Sequence, residues 1–372
     1  MKLKNFFKKM ALTLLDHKPT AAPEMPIGGA SAKHSRAIQT AERKSKFTEI
    51  LAKLEAQHKK RVAVRNEKSV HRMERIYRRT RFDSMLPENA SDQGEHIPVV
   101  FICDDHYAFP TGVAILSLLR NKKHTTRYEI FVLGRTLSKE SRQLLESFGS
   151  IVHVLHCDDV KIEQYANTHQ YVSSAALLKF DIPQLLPDRD KVLYLDSDVL
   201  VLGDLSELFA TPIEDCYAAV VKDLLGTHYT FHTRTGVSSY FNSGVLLLNT
   251  KRMRDEGISA KLLENKSNHP WKMLMDQDAF NVTFSERVIW LHPRYNMMYG
   301  NNLNSGWSVA QMAAFYGITP QEMKRALWHP LIQHLSSAIK PWDSPLAAKY
   351  LDYQRYRILY ETFLKERKLQ PE

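Results

Sequence analysis

The chain has 372 residues and 44% hydrophobic content, which allows one large globular core with appendages. Three cysteines, Cys103, Cys157 and Cys216, exclude a disulfide framework and suit a reducing, cytoplasmic compartment. The net charge of +10 is confined to the N-terminus: residues 1–95 hold 21 Lys and Arg against 11 Asp and Glu, and the remainder is neutral.

Residues 1–95 therefore read as a basic arm, with an anionic surface as the expected partner. The opening MKLKNFFKKM is basic, but the apolar run at 11–15 is too short for a secretory signal or a membrane span. Leu3, Phe6, Phe7, Met10 and Leu14 recur at helical spacing beside lysines. A helix on an anionic membrane has this pattern, and so does a solvated terminus. Residues 20–32, rich in Ala, Pro and Gly, read as a linker. Residues 34–82 read as long basic helices. Their apolar stripe, Phe47, Ile50, Leu51 and Leu54, suits oligomerisation or docking. No recognised motif supports nucleic-acid binding.

The body begins near residue 97 with IPVVFICDD, a strand running into a loop, then a helix over about 111–121. Strand and helix alternate through 129–133, 138–148 and 151–156, which argues a parallel sheet covered on both faces. Residues 173–187 read as a short helix carrying Lys179. Next comes KVLYLDSDVLVLGDLSELF, at 191–209. Its first apolar run reads as a buried strand that ends on Asp196 and Asp198. Ligands sit beyond strand ends in such sheets. Two acids there repel unless a cation lies between them. Mg²⁺ or Mn²⁺ fits and would in turn hold phosphates, although turn-forming aspartates alone give the same pattern.

A further strand is expected at 218–222, followed by a connection with His228, His232 and Arg234 that is placed to meet an acceptor. The strand at 240–249 opens with Phe241-Asn242-Ser243-Gly244. Gly244 permits close backbone approach, and Asn242 offers both a donor and an acceptor. Asp276-Gln277-Asp278 precedes a helical run and reads as a capped helix start. Two short helices are expected over 303–328. The tail, 346–372, reads as an amphipathic basic helix that packs on the body or lies at a membrane interface.

Five segments are similar, in order, to those of glycosyltransferase family 8, the retaining family of glycogenin and of bacterial lipooligosaccharide galactosyl- and glucosyltransferases. They are FICDDHYA at 101–108, YLDSDVLV at 194–201, YFNSGVLLLNT at 240–250, DQDAFN at 276–281 and HLSSAIKPW at 334–342. The resemblance implies a GT-A-like (Rossmann-like) α/β domain over 96–345, with a mixed sheet and helices on both faces. It implies that Asp196, Asp198 and His334 hold a divalent metal, the imidazole favouring Mn²⁺ over Mg²⁺. Asp104 would read the uracil by accepting its ring N–H. His106 stands where the galactosyltransferases have an asparagine facing the ribose. Lys179 stands where an arginine usually touches the donor, keeping the charge without the bidentate fork. Asn242 and the backbone of Ser243 and Gly244 would contact the donor sugar. Asp276 would bind its hydroxyls, Gln277 would lie under its anomeric carbon, and Lys340 would hold the diphosphate.

The expected activity is transfer of galactose or glucose from a UDP-sugar to a hydroxyl of a glycan or glycolipid acceptor. A lipopolysaccharide or lipooligosaccharide core at the cytoplasmic face of the inner membrane is the expected acceptor. Glutamine is a poor nucleophile, so front-face substitution is expected, with the Gln277 carbonyl dipole steadying an oxocarbenium-like centre. A glycogenin-like self-glucosylating primer would need an acceptor tyrosine on a mobile segment, and none stands out. A silent nucleotide-sugar-binding relative is disfavoured by the intact Asp196, Asp198, His334, Gln277 and Lys340.

Overall fold

The computed structural model describes residues 96–157, 174–228, 235–268, 276–298, 305–337, 340–343 and 351–369, with Lys68 and His71 as isolated, exposed helical positions. The chain divides into Met1–Val62 and Ala63–Glu372. The membrane-facing terminus, the linker and the apolar stripe expected in the arm lie outside the described residues, as do His232 and Arg234.

Seven strands form the main sheet: β1 (Ile97–Cys103), β2 (Tyr128–Gly134), β3 (Val152–His156), β4 (Val192–Leu195), β6 (Ala218–Lys222), β7 (Phe241–Leu248) and β8 (Val288–Trp290). Their order is β3-β2-β1-β4-β7-β6-β8. Strand β7 runs antiparallel to both its neighbours, and every other pair is parallel. Strands β1, β4 and β7 are buried throughout, which is why they read as unbroken apolar runs. Alternate side chains enter opposite cores: Val99, Phe101, Leu193 and Val245 on one face, Val100, Ile102, Tyr194 and Leu246 on the other.

The all-parallel sheet suggested by strand–helix alternation is thus interrupted at β7. Antiparallel neighbours can be joined at one end of the sheet without a crossover. The end of β6 and the start of β7 therefore meet, and Asp223 N donates to Tyr240 O at 2.8 Å. The end of β4 meets the same place, where Asp196 N donates to Gly244 O at 2.8 Å. A second sheet has β10 (Ile332–His334) between β5 (Val199–Val201), antiparallel, and β9 (Met297–Met298), parallel. Its register sets His334 opposite Val199, beside Asp198.

Helix α1 (Asp105–Arg120) begins earlier than expected and runs through Pro110. Asp104 caps it, Oδ1 accepting from Tyr107 N at 3.1 Å. Pro110 removes one helical donor, but burial of Val113, Ile115, Leu116 and Leu118 outweighs that loss. Helix α2 (Gln277–Phe284) packs beneath β7. Asn281 clamps it there, its side chain accepting from Phe241 N at 2.8 Å and donating to Phe241 O at 2.9 Å.

Of the two placements open to the tail, packing on the body is the one found. In helix α3 (Leu351–Glu366), Tyr353, Tyr356, Leu359, Tyr360, Phe363 and Leu364 join the core that α1 also faces. Gly112 of α1 makes the notch: a Cβ there would lie 2.2 Å from the Tyr360 ring. Among the described residues no helix is long and apolar enough to cross a membrane.

Candidate active site

Strand β4 stops at Leu195 and the chain turns through Asp196-Ser197-Asp198. Ser197 faces inward, donating to Ile102 O at 2.8 Å and accepting from Thr111 Oγ1 at 2.7 Å, so the turn is tied to β1 and α1. The flanking aspartates converge on His334. Its Nε2 lies 3.1 Å from Asp198 Oδ1 and 3.7 Å from Asp196 Oδ2. One ligand atom from each residue falls within 4.8 Å of the others, the arrangement a metal ion needs. Gly244 leaves the room: a Cβ there would lie 2.3 Å from His334 Cε1 and 2.5 Å from Asp196 Oδ2.

Two lysines complete this side. Lys340 Nζ donates to Asp198 Oδ2 at 2.5 Å and to Leu335 O at 3.0 Å. Lys179, buried, bridges Asp276 Oδ2 at 2.7 Å and Asp196 Oδ1 at 3.0 Å. Tyr194 Oη also donates to Asp196 Oδ1, at 2.6 Å. Burial alone would raise the Asp198 carboxyl, but Lys340, joined by His334 when its ring is protonated, outweighs it and holds the group well below the usual carboxylate range. Burial alone would lower the Lys179 ammonium, but Asp196 and Asp276 reverse that and hold it above its usual value.

Neutral amides build the other side. Asn242 Nδ2 and Ser243 N both donate to Gln277 Oε1, at 2.9 and 3.1 Å. Gln277 Nε2 donates to Asp223 Oδ2 at 3.1 Å, and Gly226 N donates to Asp223 Oδ1 at 2.9 Å. Asn242 Oδ1 accepts from Gly244 N at 3.0 Å and from Asn296 Nδ2 at 2.8 Å. Asn296, fully buried, reaches His334 Nδ1 through its own Oδ1 at 2.9 Å. Burial pushes the Asp223 carboxyl above the usual range.

With this geometry in place, a family model described as glycosyl transferase family 8 matches residues 98–345. The chain belongs to glycosyltransferase family 8. It is 27% identical over 277 residues to General stress protein A of Bacillus subtilis, covering 70% of this chain and 94% of that protein. It is 25% identical over 282 residues to a lipopolysaccharide 1,2-glucosyltransferase of Escherichia coli, covering 72% of this chain and 78% of the relative. Among solved structures, the galactosyltransferase LgtC in complex with donor and acceptor sugar analogs has a TM-score of 0.58. It is 24% identical and covers 70% of this chain and 95% of LgtC. This likeness makes the fold GT-A-like.

In this family 8 chain, ten of the expected residues meet in one hydrogen-bonded assembly: Lys179, Asp196, Asp198, Asn242, Ser243, Gly244, Asp276, Gln277, His334 and Lys340. Asp104 and His106 sit at its margin, at the start of α1. His106 is exposed and lies 3.6 Å from Asp343. The adjacent Tyr107 meets Trp342 of the Lys340-Pro341-Trp342 segment edge-on at 5.5 Å. Two local expectations change. Asp276 does not cap α2 through its side chain, which Lys179 engages instead. The Gln277 carbonyl faces two N–H donors. Asp223, Asn281 and Asn296 were missed as site residues. A carboxylate just past a strand end is a signal for Asp223, and Asn281 closes the DQDAFN segment at 276–281; nothing local marks Asn296.

Proposed function

We propose that this glycosyltransferase moves a hexose from a UDP-sugar to a hydroxyl of a glycan acceptor, with a divalent cation and retention of configuration. The observation that carries the reading is the convergence of Asp196, Asp198 and His334 beside Lys340. Two carboxylates and an imidazole nitrogen are a donor set suited to Mn²⁺ or Mg²⁺, so the residues present fit the ion. When bound, such an ion supplies Lewis-acid polarisation of the donor diphosphate.

The chain's own groups do the rest. The Lys340 ammonium offsets charge building on the leaving diphosphate. Asp276 and Asn242 hold the sugar hydroxyls. Asp104 accepts the uracil ring N–H with the carboxylate oxygen that does not cap α1. The bond from the anomeric carbon to the phosphate oxygen breaks, and the bond to the acceptor oxygen forms on the same face. The acceptor's proton passes to the departing phosphate, giving UDP. Gln277 acts first by holding Asn242 and Ser243 in place. Direct stabilisation of the anomeric centre by its carbonyl would require it to turn from those two donors.

The Escherichia coli relative's name supports lipopolysaccharide as acceptor and glucose as the transferred sugar, and the solved relative's name supports galactose. In this reading 1–95 forms a basic arm that meets the anionic inner membrane from the cytoplasmic side, and the catalytic domain follows from residue 96. The test is UDP release from a panel of UDP-hexoses with Mn²⁺, beside the Asp198→Asn variant. Release from one sugar, absent in the variant, is expected. Failure of UDP to bind in a metal-dependent way by calorimetry would overturn the reading.

A further inference from the structure

We infer that Asn296 is the positioning residue that sets the tautomer of His334, and that the backbone of Ser243 and Gly244 at the start of β7 dictates it through the buried amides. The inference rests on the proposed metal role of His334.

An amide side chain has one donating and one accepting end, so its direction must be read from partners of fixed sense. A backbone N–H can only donate. Gly244 N therefore faces the oxygen of Asn242, at 3.0 Å. Ser243 N faces the oxygen of Gln277, at 3.1 Å. The nitrogen of Asn242 is thereby turned to Gln277 Oε1, at 2.9 Å. The Asn296 atom 2.8 Å from Asn242 Oδ1 must then be its nitrogen, which leaves its oxygen 2.9 Å from His334 Nδ1. That oxygen can only accept, so Nδ1 carries the proton. In a neutral imidazole Nε2 is then a bare lone pair, and it faces Asp198 Oδ1 at 3.1 Å and Asp196 Oδ2 at 3.7 Å. Three electron-rich atoms turned on one another are a cation site. A histidine with Nε2–H would instead present a proton to the position the cation takes. Partners behind a metal-binding histidine fix ring orientation in this way. Here the partner is neutral, fully buried, and also bonded to Asn242 of the strand start proposed to contact the donor sugar.

Equilibrium titration with Mn²⁺ in the presence of UDP, following the electron paramagnetic resonance signal of free Mn²⁺, separates this role from simple packing. Asn296→Leu keeps much of the volume and removes the acceptor; Mn²⁺ affinity falls about 10–100-fold. Asn296→Asp keeps an acceptor for Nδ1 and recovers most of that affinity. It sets a second oxygen against Asn242 Oδ1, so KM for the UDP-sugar rises while UDP binding is kept. Leu binding Mn²⁺ as tightly as wild type, or Asp binding no better than Leu when both melt cooperatively, overturns the inference. Nitrogen-15 spectra of wild-type histidine at alkaline pH, assigned against His334→Gln, test it without relying on either variant's folding: a proton on Nε2 of His334 also overturns it. Absence of UDP-dependent Mn²⁺ binding by the wild type would instead remove the functional reading on which the inference stands.

Discussion

The two walls of the site, one of carboxylates and one of amides, hold their shape by different means. The carboxylate wall rests on opposite charges in contact, Asp276, Lys179 and Asp196 on one run and Asp198 and Lys340 on the other, with the His334 ring between the two aspartates. The amide wall links Asn296, Asn242 and Gln277 by neutral hydrogen bonds and ends on Asp223. Charge pairs in a buried place are strong while complete and costly when one member is lost. Neutral amides are individually weaker, but each bond has a sense, so the chain transmits direction. One wall concentrates charge where a diphosphate and a cation are proposed to meet. The other orients the groups around it.

The largest test of that division removes a charge from the first wall. Lys179→Met leaves Asp276 and Asp196 without their shared buried cation, and should destabilise the fold by about 3–5 kcal/mol in urea. Adding Asp276→Asn to the same chain should recover part of the loss, because one orphaned carboxylate disappears. An unchanged midpoint for the single variant would mean that the pair contributes nothing net. The next effect is on turnover. Asp198→Asn removes a proposed ligand itself, so UDP release should fall by more than the about 10–100-fold typical of residues behind a ligand. Full activity in that variant would break the assignment of the carboxylate wall to the metal.

The two walls also differ in how far they could be read ahead of the structure. Asp196 and Asp198 stand one residue apart at the end of an apolar strand, so local pattern alone flagged them. Strands β1, β4 and β7 were equally plain, because burial on both faces writes an unbroken apolar run. The direction of β7 was not, since pairing sense leaves no mark on side-chain pattern. The helix expected over about 111–121 in fact starts at Asp105, and α1 passes through Pro110 because it is buried along most of its length. The tail's apolar stripe suited a membrane or a core equally. The notch at Gly112 that receives Tyr360 is a contact between distant segments. Asn296 shows the limit most clearly: its partners, Asn242 and His334, lie 54 and 38 residues away, and no neighbour in sequence announces it.

On the amide wall the expected effects are smaller. Asn242→Ala strips partners from Gly244 N, Gln277 Oε1 and Asn296 Nδ2 at once. A cost of about 1–3 kcal/mol is expected from buried groups left unsatisfied. A loss as large as that of Lys179→Met would erase the distinction between the walls.

The finest test is the pH dependence of these losses, measured with a chelator present. The folded Asp198 carboxyl is held below the usual range; burial opposes this, and Lys340, joined by His334 when its ring is protonated, more than compensates. An acid with a depressed folded pKa contributes stability that is present above its unfolded value, about 4, and lost as pH falls toward the folded value. The stability gap between wild type and Asp198→Asn should therefore narrow as pH is lowered from neutral through about 4. Lys179 has the opposite sign. Its raised folded value means a contribution present below the unfolded lysine pKa, about 10.4, and lost only as pH rises through the folded one. Asn242 does not titrate, so its gap should stay level over the same acid range. A narrowing for Asn242→Ala equal to that for Asp198→Asn would show that acid loosens both walls together, and that charge and direction are not separately built.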